Sequence, residues 1–200
     1  RGRAWVNPPG NFSATLVLRP TESPDVVALR SFVTALALYD AFETVTGTAA
    51  GLALKWPNDV LLNGGKVAGI LLEGIGGPGG HLAIGIGVNL IAAPDVAQVE
   101  AGAVAPVSLL SETGVRVSPE HMLDALATAF AARETSFVTY GFAPIRAAWM
   151  DRAARLGEVI TARMATKEVT GTFEEVDEQG NLVLKTAQTR EKIAAAEVFF

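Results

Sequence analysis

The sequence predicts an α+β protein followed by a small all-β module, and three observations carry that expectation. Leu52 to Trp56, Val67 to Leu72 and Leu82 to Val88 are brief apolar runs, rich in β-formers and closed by turn residues, which is how buried strands read. Two stretches, one from Pro24 and one from Pro119, repeat their apolar residues at helical spacing. From Leu156 onward the texture changes to short strands separated by turns, enough for a small barrel or β-sandwich with its own modest core.

Taken in order, Arg1 to Gly10 is turn-rich, and Asn11 to Leu18 alternates and ends in apolar residues as a strand does. Ser23-Pro24-Asp25 has the form of a helix start, with serine as cap, proline at the first helical position and an aspartate by the exposed amides. Val26, Leu29, Phe32, Val33, Leu36 and Phe42 then predict one helix from about Pro24 to Val45 with one face on the sheet. After Trp56, Pro57 blocks ladder pairing, and Asn58-Asp59 turns the chain into Val60-Leu61-Leu62. Asn63-Gly64-Gly65 supplies a hairpin turn whose second arm is Lys66 to Glu73. Gly74 to Gly80 reads as a hairpin loop with no side chains fit for chemistry, and His81 to Leu90 as the next strand. Pro94 to Gly114 is irregular, with a short turn placing Leu109 and Leu110 inward. Ser118-Pro119-Glu120 starts a helix lined by Met122, Leu123, Leu126, Phe130 and Phe137, and Phe142 to Arg155 reads as another. The strands Val159 to Arg163, Lys167 to Glu175, Leu182 to Lys185 and Lys192 to Ala194 follow, with Asp177 to Asn181 as a hairpin turn.

With 200 residues, 50% of them apolar, the chain can bury a core of ordinary size. A formal charge of -5 argues against wide nucleic-acid contact, which would need a basic surface. The absence of cysteine excludes disulfides and thiolate chemistry within these residues. No apolar run is long enough to span a membrane, so a cytoplasmic protein is expected.

The chemistry concentrates between Leu52 and Leu90. Between Ser31 and Val115 the only basic side chains are Lys55 and Lys66, against seven acidic ones, so these lysines are not part of a solvated charge run. An amine beside buried strands needs an anion or several acceptors to offset its desolvation. Gly85 and Gly87 lie two apart in a strand, hence on one face, and either clear a flat patch for a ligand or permit tight packing against a helix. Asn89 closes that strand with an amide that can donate and accept. The nucleotide-binding motifs GxGxxG and GxxxxGK[ST] are absent, as are HExxH and GxSxG. What remains is cationic: Arg1, Arg3, Lys55 and Lys66, with glycines, two carboxamides and Asp59. That inventory suits a reaction in which negative charge grows at phosphorus, with Asp59 as the candidate magnesium ligand.

Arg1-Gly2-Arg3 with Trp5, Lys55-Trp56-Pro57-Asn58-Asp59, Gly65-Lys66-Val67-Ala68-Gly69-Ile70-Leu71 and Gly85-Ile86-Gly87-Val88-Asn89, in that order, make the chain resemble bacterial biotin protein ligases over nearly its whole length. The resemblance implies a mixed sheet flanked by helices over residues 1–154 and an SH3-like barrel over 155–200. It implies activation of biotin by ATP and magnesium to biotinyl-5′-adenylate, as in a biotin–[acetyl-CoA-carboxylase] ligase, followed by transfer to a lysine of a biotin carboxyl carrier protein. By position, Lys66, Lys55 and Arg3 would be catalytic, while Arg1, Gly2, Lys66, Gly69, Gly85 and Gly87 would surround biotin. Arg3, Trp5, Lys55, Asn58 and Asn89 would meet ATP, and Asp59 the magnesium ion. A homodimer is compatible with the family. The family's upstream strand, helix and first loop glycines do not stand among these residues, so adenylate formation slower than that of a longer protein is expected. A lipoate or octanoate ligase or transferase, and a non-catalytic binding module on the same scaffold, are the competing readings.

Overall fold

The computed structural model describes residues 8–76, 80–95 and 102–200. Strand β1 (Phe12–Leu18) leads into α1 (Pro24–Ala28) and α2 (Arg30–Thr46). Four strands follow: β2 (Leu52–Lys55), β3 (Asp59–Leu62), β4 (Gly65–Ile75) and β5 (His81–Val88). Then come α3 (Leu109–Thr113), α4 (Pro119–Tyr140) and α5 (Phe142–Met150). The C-terminal strands are β6 (Val159–Arg163), β7 (Glu168–Val176), β8 (Leu182–Lys185), β9 (Arg190–Ile193) and β10 (Glu197–Phe199).

The first sheet has the order β1-β5-β4-β3-β2, and each of its neighbouring strands is antiparallel. Its parallel contacts are two isolated bridges, Leu54 with Ala153 and Lys66 with Pro106. Leu54, Val60, Ala68, Val88 and Phe12 stand opposite one another across the five strands and are all buried. This row shares a core with α2, whose Phe32, Val33, Leu36 and Phe42 are buried at helical spacing. Each such side chain contributes roughly 1.5–3 kcal/mol by leaving water. Helices α2 and α4 pack on this sheet.

The single helix expected from Pro24 to Val45 is two helices. The chain tightens at Leu29, whose N–H reaches the Val26 carbonyl while its own carbonyl accepts from Phe32, both three residues apart. Ser23 stands at the cap position but makes no capping bond to the backbone. Gly47 ends α2 in the left-handed conformation, with φ of 72°, and donates to the Glu43 carbonyl. Strand β4 runs on to Ile75, into the segment expected to be loop. The helix expected to reach Arg155 stops at Met150, because the next residues serve the edge of β2: Leu54 donates to Arg152 and Ala154 donates to Leu54, both at 2.8 Å.

The second sheet has the order β10-β6-β7-β8-β9. Its outer strands β10 and β9 each pair on one side only, so its ladder does not close into the expected barrel. Strand β10 was not foreseen, since three residues are too few for a readable alternation. Side-chain hydrogen bonds help to fix this sheet to the first unit. The Arg146 guanidinium donates to the Val176 carbonyl and pairs with Glu175, Met150 sulfur accepts from Val176, and the Trp56 indole donates to the Gly180 carbonyl at 3.0 Å.

Candidate active site

Strand pleating alternates side chains between faces, so each member of the buried row has a neighbour pointing the other way. Those neighbours form a second row in register: Lys55, Asp59, Gly69, Gly87 and Ser13. One step along, Leu71, Gly85 and Thr15 form the next row on this face. A methyl placed on Gly85 would meet only Leu71, no nearer than 3.7 Å, so helix packing does not require the glycine. Among the described residues, tight packing against a helix therefore does not account for Gly85.

Lys66 joins this face through an irregularity. Three residues from Gly69, it would point to the opposite face of a regular strand. The pairing of β3 with β4 slips between Val60 and Leu61: Val60 stands opposite Ala68 while Leu61 stands opposite Lys66, which leaves Val67 as the extra residue. The bulge re-aims Lys66 to the side of Asp59. Backbone pairing of Lys66 with Ala105 and Val107 fixes the bulged segment from its other edge.

The three charged groups converge. Lys66 Nζ lies 2.6 Å from Asp59 Oδ1, and Lys55 Nζ lies 3.7 Å from Asp59 Oδ2. Lys55 is 6% exposed and Asp59 8%, whereas a third of the Lys66 side chain remains accessible. Burial pushes the Lys55 ammonium below the ordinary lysine range; Asp59 opposes this, Lys66 reinforces it and Glu197 opposes it again. One carboxylate thus holds two ammonium groups beside a glycine-lined strip, with the more accessible lysine foremost. Lys55, Lys66 and Asp59 by themselves sum to one positive charge, with Glu197 near enough to act on Lys55, and the accessible Lys66 is the member that can attract an anion. Because both oxygens of Asp59 face ammonium groups, the carboxylate suits orienting the lysines better than ligating magnesium. Among the described residues there is no cluster of three or more histidine, cysteine or acidic side chains that could hold a metal.

The two carboxamides differ in what they leave free. Asn58 donates its side-chain amide to the Ile70 carbonyl and accepts at its backbone carbonyl from Ile70 N–H, which ties the loop after Trp56 to β4. Asn89, 2% exposed, donates to the Val107 carbonyl at 3.0 Å, but its Oδ1 is buried without a hydrogen-bond partner. A buried unsatisfied acceptor costs about 1–3 kcal/mol, and an incoming N–H donor would recover it.

Two family models match the chain: the biotin/lipoate A/B protein ligase family over residues 1–89 and the biotin protein ligase C-terminal domain over residues 156–200. A biotin–[acetyl-CoA-carboxylase] ligase of Paracoccus denitrificans is 60% identical over all of this chain and 84% of its own length. The chain belongs to the biotin protein ligase family. A bifunctional ligase/repressor BirA of Bacillus subtilis is 29% identical across 98% of this family member, which spans 60% of that protein. The fold matches the biotin protein ligase of Aquifex aeolicus solved in complex with biotin and ATP, with a TM-score of 0.84 and 24% identity over 98% of this chain and 81% of that one.

Of the expected site residues of this biotin ligase family member, Lys55, Asp59, Lys66, Gly69, Gly85 and Gly87 share one sheet face. Asn89 follows β5 directly, and Asn58 lies in the loop between β2 and β3. Arg1, Gly2, Arg3 and Trp5 lie outside the described residues. One neighbour of the site went unread in the sequence: the Phe200 ring, whose centroid is 5.7 Å from Lys55 Nζ. An aromatic some 145 positions from Lys55 carries no local signal.

Proposed function

We propose that this protein activates biotin with ATP to biotinyl-5′-adenylate and passes the biotinyl group to a lysine of a biotin carboxyl carrier protein. The observation that carries the reading is the convergence of Lys55 and Lys66 on Asp59 beside the row of Gly69 and Gly87. The relatives named above support it by name, and the match of residues 156–200 to a biotin protein ligase C-terminal domain favours biotin over lipoate or octanoate. On this reading the C-terminal sheet is an SH3-like module.

In the first step the biotin carboxylate attacks the α-phosphorus of ATP; a C–O–P linkage forms and the bond to pyrophosphate breaks. Lys66 places a positive charge where the carboxylate and the α-phosphoryl oxygens meet, so charge developing in the transition state is stabilised by a group already in position. Lys55 adds a second, buried charge, and Asp59 keeps both ammonium groups from drifting apart. The glycines let the ligand lie against the backbone, and Asn89 Oδ1 is free to accept from an N–H of the adenine. In the second step the carrier lysine attacks the acyl carbon, the carbonyl–oxygen bond of the anhydride breaks, and AMP leaves. Magnesium accompanies ATP in the family, but the donors present at Asp59 do not suit it, and no step here is assigned to it.

Pyrophosphate release measured with ATP and biotin, lipoate or octanoate in turn tests the assignment. With a biotin carboxyl carrier protein present as acceptor, biotin but neither lipoate nor octanoate should give sustained release, and Lys66→Ala should lower that rate by about two to three orders of magnitude with an unchanged far-ultraviolet circular dichroism spectrum. Equal turnover in the variant, or a preference for lipoate, would remove the reading.

A further inference from the structure

The C-terminal sheet touches the segment Lys55-Trp56 at two separate points. From one side, the Phe200 ring lies over the Lys55 ammonium at 5.7 Å and also faces the Arg155 guanidinium at 5.3 Å. From the other, the Trp56 indole N–H donates to the Gly180 carbonyl in the turn between β7 and β8. Trp56 is 3% exposed, and Phe200, itself 44% exposed, follows the buried residues Val198 and Phe199, which anchor its backbone. Neither contact is part of the hydrogen-bonded ladder of the second sheet.

Lys55 is the end of a flexible four-carbon side chain on an edge strand. Asp59 restrains it only loosely, at 3.7 Å, and shares its charge with the nearer Lys66. A ring within about 6 Å of an ammonium attracts it through its quadrupole, more so away from water. The indole hydrogen bond meanwhile fixes the peptide that follows Lys55.

We infer that Phe200 and Trp56 are positioning residues through which the C-terminal sheet holds Lys55 at the adenylation site. This rests on the proposed adenylation reading, and the experiment separates the two. Phe200→Leu keeps bulk and removes the ring, Phe200→Tyr keeps the ring, and Trp56→Phe keeps an aromatic while deleting the donor. In pyrophosphate-release assays Phe200→Leu should lower kcat about two- to fivefold. Trp56→Phe should lower it about fivefold, with KM for biotin unchanged in both. Phe200→Tyr should recover most of the rate lost in Phe200→Leu.

A second readout needs no turnover. Acetylation of individual lysines by N-acetoxysuccinimide, followed by peptide mass spectrometry, should show Lys55 reacting severalfold faster in Phe200→Leu and Trp56→Phe than in the wild type, with Lys185 unchanged. Unaltered Lys55 labelling and unaltered kcat in both variants would overturn the inference, as would equal loss in Phe200→Leu and Phe200→Tyr. If the wild type releases no pyrophosphate, the adenylation reading fails on its own, and the labelling pattern alone decides whether these residues position Lys55.

Discussion

Lys55 is a cation carried into a mostly buried position, and it shares its nearest carboxylate, Asp59, with Lys66. Its desolvation lowers its proton affinity in the folded protein, while the unfolded chain keeps the ordinary lysine value of 10.5. Between those two values the unfolded chain binds more protons, so stability rises with pH across that window. Below it both states are charged, and the cost of burying the ammonium is fully present. Urea unfolding of the wild type and Lys55→Met between pH 7 and pH 10 should therefore show the wild type gaining on the variant as pH rises. Curves that stay parallel would mean that burial does not set the state of this lysine. The same site shows why Asp59 reads ambiguously in a sequence. A carboxylate after a turn suggests a metal, and only the structure shows it 2.6 and 3.7 Å from two ammonium groups.

Among the elements, α2 holds the greatest surprise. Its apolar stripe was readable, yet Arg30 sits within it, 3% exposed, with its guanidinium paired to Glu22 at 2.7 Å and to Glu134 of α4 at 2.8 Å and lying over the Phe137 ring at 5.1 Å. The arginine fastens α4 to α2 while its Nη1 and one Glu134 oxygen stay buried without partners. Removing one member strands the others, so Arg30→Ala should cost about 3 kcal/mol in urea unfolding. A loss below about 1 kcal/mol would show that water replaces the arginine without difficulty. The bulge in β4 is the other decisive local feature. An apolar alternation from Val67 onward is legible, but the extra residue that swings Lys66 to the face of Asp59 is set by pairing with Leu61, seen only once β3 is alongside.

Over the whole chain, the joint between the two sheets passes through Gly180. Its φ is +80°, and a methyl there would stand 2.9 Å from Leu29 and 3.0 Å from Phe32, at the place where α1 gives way to α2. Gly180→Ala should thus lower stability by about 2 kcal/mol, combining left-handed strain with a clash against packed side chains. Because Trp56 bonds to the Gly180 carbonyl, the loss should appear in probes of both sheets; tryptophan fluorescence left unchanged while the second sheet loosens would contradict that coupling. The resemblance to biotin protein ligases was legible in four ordered motifs, of which the first lies outside the described residues. In the segment for which it implied an SH3-like barrel, the described strands form a five-stranded sheet whose edges β9 and β10 are not paired with each other.

What these residues determined unaided was local: which runs form strands, where turns interrupt them, and which two amines cannot belong to a solvated surface. Those features follow from side-chain periodicity and backbone geometry over a few neighbours. Tertiary structure alone decided that Lys66 faces Asp59, that α1 and α2 part at Leu29, and that Phe200 comes to rest over Lys55. Each depends on a strand register or a docking contact between segments distant in the chain, and that distance leaves no periodic trace in the order of the amino acids.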